Sequence, residues 1–168
     1  ITRLAFHPKK NIVGTASDDF TWRLWSIPNG EQIMSGEGHK DWVSGISFHP
    51  KGLHLVTSSG DATVNVWDFA NTTCAQTFKD HIQPVFNVTV HDTGDFAATA
   101  SMDHTSKLLD LNVGKCRQTF RGHVDSVNNV NFQPYSNILC TSSADKTLSL
   151  WDIRTGLCVQ TFYGHMNA

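Results

Sequence analysis

The sequence lacks several features that would assign a class of function directly. Charged residues make up only 17% of its 168 residues, and 13 Lys+Arg against 15 Asp+Glu give a formal net charge of -2. A nucleic-acid groove needs a concentrated basic surface, which this composition does not supply. No apolar run approaches the roughly 20 residues that cross a bilayer as a helix. We therefore expect neither nucleic acid nor a membrane among the partners.

The spacing of the cysteines argues against metal or disulfide chemistry. The four cysteines are Cys74, Cys116, Cys140 and Cys158, and three of them are 42 residues apart. That interval is not a C-x-x-C ligand pattern, so we expect free, buried thiols. Among nine histidines, His7, His49 and His91 share the same interval, which separates them too widely to hold one ion. We predict no metal and no cofactor.

A repeat of 42 residues runs through the whole chain without an insertion or deletion. A Gly-His pair or its variant lies at Gly38-His39, Asp80-His81, Gly122-His123 and Gly164-His165. A Ser-x-Asp-x-Thr element lies at Ser17-Asp19-Thr21, Ser59-Asp61-Thr63, Ser101-Asp103-Thr105 and Ser143-Asp145-Thr147. A Trp-Asp-like pair lies at Trp25-Ser26, Trp67-Asp68, Leu109-Asp110 and Trp151-Asp152. Such a period indicates stacked units of one supersecondary structure.

Each unit predicts four short strands and no helix. Alternating β-branched and polar residues, as in 63–67, have the strand period of two. The first two units predict strands at Ile1–Phe6, Ile12–Ser17, Thr21–Ser26, Gln32–Gly36, Val43–Phe48, His54–Ser59, Thr63–Asp68 and Cys74–Phe78. The units are 1–42, 43–84, 85–126 and 127–168. A small sheet cannot bury both faces alone, so we expect the units to stack on one another.

The period, the Gly-His marks and the Trp-Asp marks together resemble the WD40 repeat. The resemblance covers the entire chain and implies an all-β fold of four four-stranded antiparallel blades in one propeller domain. It also implies a larger ring of about seven blades, so we expect the remaining blades to come from the same protein, outside residues 1–168. The sequence departs from the WD40 pattern at two positions of the same repeat: Leu109 replaces the Trp, and Asp80 replaces the Gly before His81.

Serine, histidine and aspartate recur together, as they would in a hydrolase triad. An active site is needed once, however, and several copies favour a structural role. The resemblance implies buried hydrogen-bonded tetrads instead, and these tetrads comprise His39, Ser59, Asp61 and Trp67, and again His123, Ser143, Asp145 and Trp151. We therefore predict that the chain is not an enzyme.

The same resemblance places a protein-binding face where the loop after each Gly-His enters the first strand. The residues expected on this face are Trp42, Ser44, Pro84, Phe86, Met102, Asp18, Ser126 and Asn128. Trp42, Phe86 and Met102 fall on neighbouring units, and grouped large apolar side chains tend to anchor partners. The alternative is that one or more of them pack locally under a loop.

Several longer sequence segments resemble those of the WD-repeat proteins of the central pair of motile cilia and flagella. They include 38–42, 101–107, 125–128, 141–149 and 163–166. The resemblance implies a cytoplasmic, cytoskeletal scaffold in the axoneme, which links central-pair proteins and microtubule-associated components and supports motility. The alternative is another intracellular WD40 adaptor, either a ubiquitin-ligase substrate receptor or a signalling scaffold.

Overall fold

The computed structural model describes residues 1–167, which form sixteen strands and no helix. Sheet 1 contains β1 (Arg3–Phe6), β2 (Ile12–Ala16), β3 (Trp22–Ser26) and β4 (Gln32–Gly36). Sheet 2 contains β5 (Val43–Phe48), β6 (His54–Ser59), β7 (Val64–Asp68) and β8 (Thr73–Phe78). Sheet 3 contains β9 (Val85–Val90), β10 (Phe96–Ser101), β11 (Thr105–Asp110) and β12 (Lys115–Arg121). Sheet 4 contains β13 (Val127–Phe132), β14 (Ile138–Ser143), β15 (Leu148–Asp152) and β16 (Cys158–Phe162).

Every sheet is an antiparallel meander whose strands pair in chain order. This confirms the predicted all-β fold of four four-stranded antiparallel blades. The predicted strand bounds differ from the observed bounds by at most two residues, since β1 begins at Arg3 and not at Ile1. Such small differences are expected at strand ends, where the last residues often lie outside the ladder of backbone hydrogen bonds.

The Ser-x-Asp-x-Thr element forms a tight turn between the second and third strands. In sheet 2, the Asp61 carboxylate accepts hydrogen bonds from the Thr63 backbone N–H at 2.9 Å and from its hydroxyl at 2.6 Å. The Ser59 hydroxyl accepts one from the Asp61 N–H at 3.1 Å. Ala62, between them, has a φ of 66°, in the left-handed region. Side-chain bonds of this kind hold a backbone turn that would otherwise be strained.

Successive sheets pack face to face, and their apolar faces build three cores. The core between sheets 1 and 2 centres on Trp22 and Trp67, whose rings meet edge-on at 5.3 Å. The core between sheets 3 and 4 contains Phe120 and Trp151 at 5.6 Å. The first strand of each sheet packs against the first strand of the next. Residues 1–167 do not close into a ring.

Three histidines join neighbouring sheets on the bottom face. We define the bottom face by the loops 7–11, 49–53, 69–72, 91–95, 111–114 and 133–137. The Nε2 atoms of His7, His49 and His91 donate to backbone carbonyl oxygens of the following sheet, each at 3.1 Å. The acceptors belong to Gly52, Gly94 and Ser136. These histidines are therefore contacts between sheets and not only turn residues.

The cysteines are free, but the expectation that they are buried is wrong for two of them. Cys74 and Cys158 are exposed, whereas Cys116 and Cys140 are half-buried. Cys74, Cys116 and Cys158 lie on or beside the fourth strand of their sheets, and this strand forms the outer edge. An edge strand has a neighbour on one side only, which leaves its side chains closer to solvent.

Within residues 1–167, no helix has the length and apolarity needed to cross a membrane.

Candidate protein-binding face

The top face lies opposite the bottom face. We define it by the loops 37–42, 79–84 and 121–126, which lead into the first strands, and by the turns 17–21, 59–63, 101–105 and 143–147. Backbone hydrogen bonds join each loop to its turn. The N–H groups of Gly60, Met102 and Ala144 donate to the carbonyls of Trp42, Pro84 and Ser126, each at 2.9 Å. The top face is therefore built on a repeated and well-bonded frame.

Behind this frame lies a buried hydrogen-bonded network in each complete unit. In sheet 2, Trp67 Nε1 donates to the Thr57 hydroxyl at 2.8 Å, and Thr57 Oγ1 lies 2.8 Å from His39 Nε2. His39 Nδ1 lies 3.1 Å from an Asp61 oxygen. An ionised carboxylate only accepts, so Nδ1 carries the proton and Nε2 accepts from Thr57. Sheet 4 repeats the arrangement with Trp151, Thr141, His123 and Asp145.

The expectation that Ser59 and Ser143 supply the hydroxyl of these networks is wrong. The Ser59 hydroxyl donates to the carbonyl of Asp41 at 3.0 Å, and the Ser143 hydroxyl donates to the carbonyl of Asp125 at 3.1 Å. Both serines shape the turn and the loop beside it. The hydroxyl of the network belongs to a threonine two residues earlier, and the sequence carries that signal in every unit, at Thr15, Thr57, Thr99 and Thr141.

The aspartates of these networks are strongly held in their charged form. Burial opposes the charge of Asp61, but hydrogen bonds from His39 and Thr63 outweigh it and keep the pKa of Asp61 well below its usual range. Asp103 has its pKa lowered in the same way by His81 and Thr105. For Asp145, hydrogen bonds from Thr147 and His123 overcome burial and lower the pKa to about 2.

The third unit carries a shorter network. His81 lies 2.7 Å from the Thr99 hydroxyl and 2.6 Å from Asp103, as in the other units. Leu109 stands at the Trp position and is buried, so it offers packing but no donor. The backbone N–H of Lys107 donates to Thr99 Oγ1 at 3.2 Å instead. The threonine therefore keeps a donor although the indole is absent.

An aromatic pair dominates the top face. The rings of Trp42 and Phe86 stack with their centroids 6.0 Å apart and an interplanar angle of 20°. Both side chains are half-buried, so each keeps an accessible part. Gly60 lies directly under the indole, because a Cβ atom there would sit 2.5 Å from Trp42 Nε1. The pair thus bridges sheets 2 and 3 as a firm, partly exposed platform.

The other residues expected on this face divide by exposure. Asp18, Met102 and Asn128 are exposed, and Pro84 and Ser126 are half-buried. Ser44, in contrast, is buried at 5% exposure, and its hydroxyl contacts the Ser58 hydroxyl and the carbonyl of Val85. The expectation that Ser44 is available to a partner is therefore wrong, because its hydroxyl joins sheet 2 to sheet 3.

Such a surface can hold another protein through apolar and stacking contacts. The recurring Ser, His and Asp side chains do not form a hydrolase triad, since His39 contacts Thr57 and not Ser59. The His39 side chain is 0% exposed, so its two nitrogens are enclosed by their partners in sheet 2.

Comparison with known sequences agrees with this architecture. The family described as WD domain, G-beta repeat matches residues 1–26, 30–68, 72–110 and 114–152. The chain therefore belongs to the WD40 repeat family, whose propellers are in general non-catalytic platforms for protein–protein interaction.

Individual relatives match over short segments. The chain is 58% identical over 41 residues to the flagellar WD repeat-containing protein Pf20 of Chlamydomonas reinhardtii. This aligned segment covers 24% of this chain and 7% of Pf20. It is 47% identical over 45 residues to the mouse sperm-associated antigen 16 protein, which covers 27% of this chain and 7% of that protein. It is 38% identical over 47 residues to the bovine pre-mRNA-processing factor 19, which covers 28% of this chain and 9% of that factor. The matched segments thus span less than a tenth of each relative.

Proposed function

We propose that the chain is a protein-interaction scaffold of the ciliary or flagellar axoneme, where it links components of the central-pair microtubules. The observation that carries this proposal is the stacked pair of Trp42 and Phe86 on the top face. Rigid aromatic side chains supply a large contact area at a low cost in conformational entropy, and they are enriched among the residues that dominate binding energy.

The axonemal part of the proposal is supported by two of the relatives. A flagellar WD repeat-containing protein and a sperm-associated antigen are both more than 45% identical to segments of this chain. The partners would be other axonemal proteins, and the docking residues would be Trp42, Phe86 and Met102 with the polar groups around them. A role without catalysis fits the enclosed histidines, whose hydrogen bonds hold the sheet together.

A localisation experiment tests both parts of the proposal. The full-length protein is tagged and expressed in ciliated cells, which are then extracted with detergent. We expect wild-type protein to remain on the axoneme. We expect a variant with Trp42→Ser and Phe86→Ser to be made in equal amount but to be lost from the extracted axoneme. Tyr135→Ser is the matched control, because it removes an aromatic side chain that is 96% exposed on the bottom face.

Three results would contradict the proposal. Retention of the Trp42 and Phe86 variant on the axoneme would remove the top face from the interaction. Accumulation of the wild-type protein in the nucleus would favour a role like that named for pre-mRNA-processing factor 19, to which a segment is 38% identical. A diffuse cytoplasmic distribution would favour the remaining class, an adaptor in signalling or ubiquitin transfer.

A further inference from the structure

The bottom face carries a groove between sheets 1 and 2 that the repeat does not reproduce at the next boundary. Its volume is about 560 Å³, against about 290 Å³ for the corresponding groove between sheets 2 and 3. Its floor and walls are formed by apolar side chains, namely Ile12, Leu24, Ile33, Met34, Leu53 and Phe69. Ile33 is 50% exposed and Leu53 is 59% exposed, so the apolar lining reaches the surface.

The other units show what normally closes this groove. Gln76 in sheet 2 reaches across to Gly114 of sheet 3, where an added Cβ atom would overlap its amide. Gln118 in sheet 3 reaches Gly156 of sheet 4 in the same manner. At the first boundary, Met34 takes the place of the glutamine and Thr72 takes the place of the glycine. The contact between a glutamine amide and a glycine of the next sheet is therefore absent at this boundary, where Met34 presents an apolar side chain instead.

The side chains in the walls of this groove are also more apolar than those at the same repeat positions in the following units. Asp95 and Asn137 stand at the repeat position of Leu53, and Asp95 accepts a hydrogen bond from Asn112 at 2.9 Å. Ala75 and Arg117 stand at the position of Ile33, and Arg117 lies over the ring of Phe96 at 5.4 Å. Met34 and Leu53 are thus apolar where the following units have polar side chains, and Ile33 adds a large apolar side chain beside them. Exposed apolar surface of this kind usually marks a binding site.

Charge at the rim indicates what the groove accepts. His7 Nδ1 accepts hydrogen bonds from the backbone N–H groups of Lys9 and Lys10, both at 3.0 Å, which fixes the loop that presents these lysines. Neither lysine forms an ion pair with any residue that the structure describes. The Asp68 carboxylate on the opposite side is occupied by the Ala70 N–H at 2.8 Å and the Asn71 amide at 2.7 Å. Both of these donors are neutral, so Asp68 keeps its negative charge, and two lysine cations against this one carboxylate leave the net charge beside the apolar floor positive.

We propose that this groove is a second docking site, and that it holds a short segment of a partner protein with large apolar side chains flanked by acidic residues. The apolar side chains lie on Leu53 and Phe69, and the acidic residues face Lys9 and Lys10. Because the groove is on the bottom face, a partner there leaves the top face free. The chain then holds two proteins at once, independently of what binds Trp42 and Phe86.

Binding of defined peptides to the full-length protein tests this site by fluorescence anisotropy. Three fluorescein-labelled nonapeptides share a central Leu-Phe pair, which is flanked by aspartates, by serines or by lysines. We expect the aspartate peptide to bind most tightly and the lysine peptide least. Lys9→Ser with Lys10→Ser should remove this order. Equal affinity for the three peptides, or no binding of the aspartate peptide up to about 1 mM, would overturn the proposal.

Variants locate the site. Leu53→Ser should weaken the aspartate peptide about tenfold, since it removes one large apolar contact. Val113→Ser is the matched control, because Val113 is 67% exposed on the bottom face outside the groove, and it should leave affinity unchanged. Met34→Gln with Thr72→Gly restores the closing pair of the other units and should abolish binding. If this variant does not fold, the comparison of Leu53→Ser with Val113→Ser decides.

Two outcomes would contradict the proposed site. An equal loss of affinity in Val113→Ser would show that binding is not confined to the groove. A dimer that forms as the protein concentration rises and is lost in Leu53→Ser would show that a second copy of the chain occupies it. Trp42→Ser should change neither the affinity for the aspartate peptide nor the association state of the protein. This separates the proposal for the groove from the proposal for the top face.

Discussion

Gly122 lies directly against the indole ring of Trp151, so that a Cβ atom at Gly122 would sit 2.9 Å from the ring. Gly38 stands in the same relation to Trp67, at 3.1 Å. The indole that completes each of these networks therefore leaves little room for a Cβ atom on the residue before the network histidine. In the third unit, where Leu109 replaces the tryptophan, the glycine is replaced by Asp80. The two departures of this unit thus belong together.

This relationship predicts strong coupling between positions 80 and 109. Leu109→Trp alone should destabilise the protein by about 1–3 kcal/mol, because the larger ring has no room beside a residue with a Cβ atom. Adding Asp80→Gly should recover most of that loss, and the indole then donates to Thr99. A double-mutant cycle from urea unfolding should give a coupling of at least about 1 kcal/mol. Simple additivity of the two single changes would refute the pairing.

The buried indoles of Trp67 and Trp151 should matter more for stability than the half-buried indole of Trp42. Trp67→Phe and Trp151→Phe should each cost about 1–3 kcal/mol, since each leaves a buried threonine hydroxyl without its indole donor. Trp42→Phe should cost about 1 kcal/mol or less, because its ring is half-buried and stacked rather than enclosed. Melting temperatures of the three variants provide the comparison. Equal shifts would mean that Trp42 has a structural role of the same weight.

Stability should fall steeply in acid. The pKa values of Asp61, Asp103 and Asp145 are lowered in the folded protein from a usual value of 3.8, to about 2 for Asp145. A lowered folded pKa contributes stability that is complete above pH 3.8 and is lost as the pH falls through the folded value. Unfolding free energy should therefore decline between about pH 4 and pH 2.

Asp145→Asn isolates one of these carboxylates. At pH 7 the variant should be less stable by about 1–3 kcal/mol, because His123 loses a charged acceptor. Its stability should then decline less than that of the wild type between about pH 4 and pH 2. Parallel pH profiles for the two proteins would show that Asp145 does not contribute to acid unfolding. Asp18→Asn, which changes an exposed aspartate on the top face, is the control.

Residues 1–168 expressed alone should self-associate. Leu4 and Phe6 are 61% and 68% exposed, although they occupy the repeat positions of Ile46 and Phe48, which are buried against the preceding sheet. On the opposite face, Phe162 is 44% exposed, although its counterparts Phe78 and Phe120 are 4% and 1% exposed. Further blades of the same protein would cover both faces. Sedimentation should show association that rises with concentration and weakens with Leu4→Ser and Phe6→Ser. A monomer at every concentration would argue against a larger ring.

The sequence by itself determined the strands, the turns and the stacking of like units. The 42-residue period places the same side-chain pattern on every sheet, and the Asp-x-Thr turns form through hydrogen bonds within a few residues. Such features depend on local backbone preferences and on the alternation of faces along a strand. For this reason the predicted bounds of β4, β5 and β6 agree with the structure to the residue.

Only the tertiary structure decided which side chains meet. Thr57 and Ser59 point to the same face of β6, since they are two residues apart, and the strand period cannot choose between them. The choice depends on where His39 lies along the strand, and that position is set by the loop that carries it across from the preceding strand. The stacking of Trp42 on Phe86 and the open groove beside Leu53 likewise form between different sheets. Contacts of this kind depend on how neighbouring sheets pack, which no local pattern encodes.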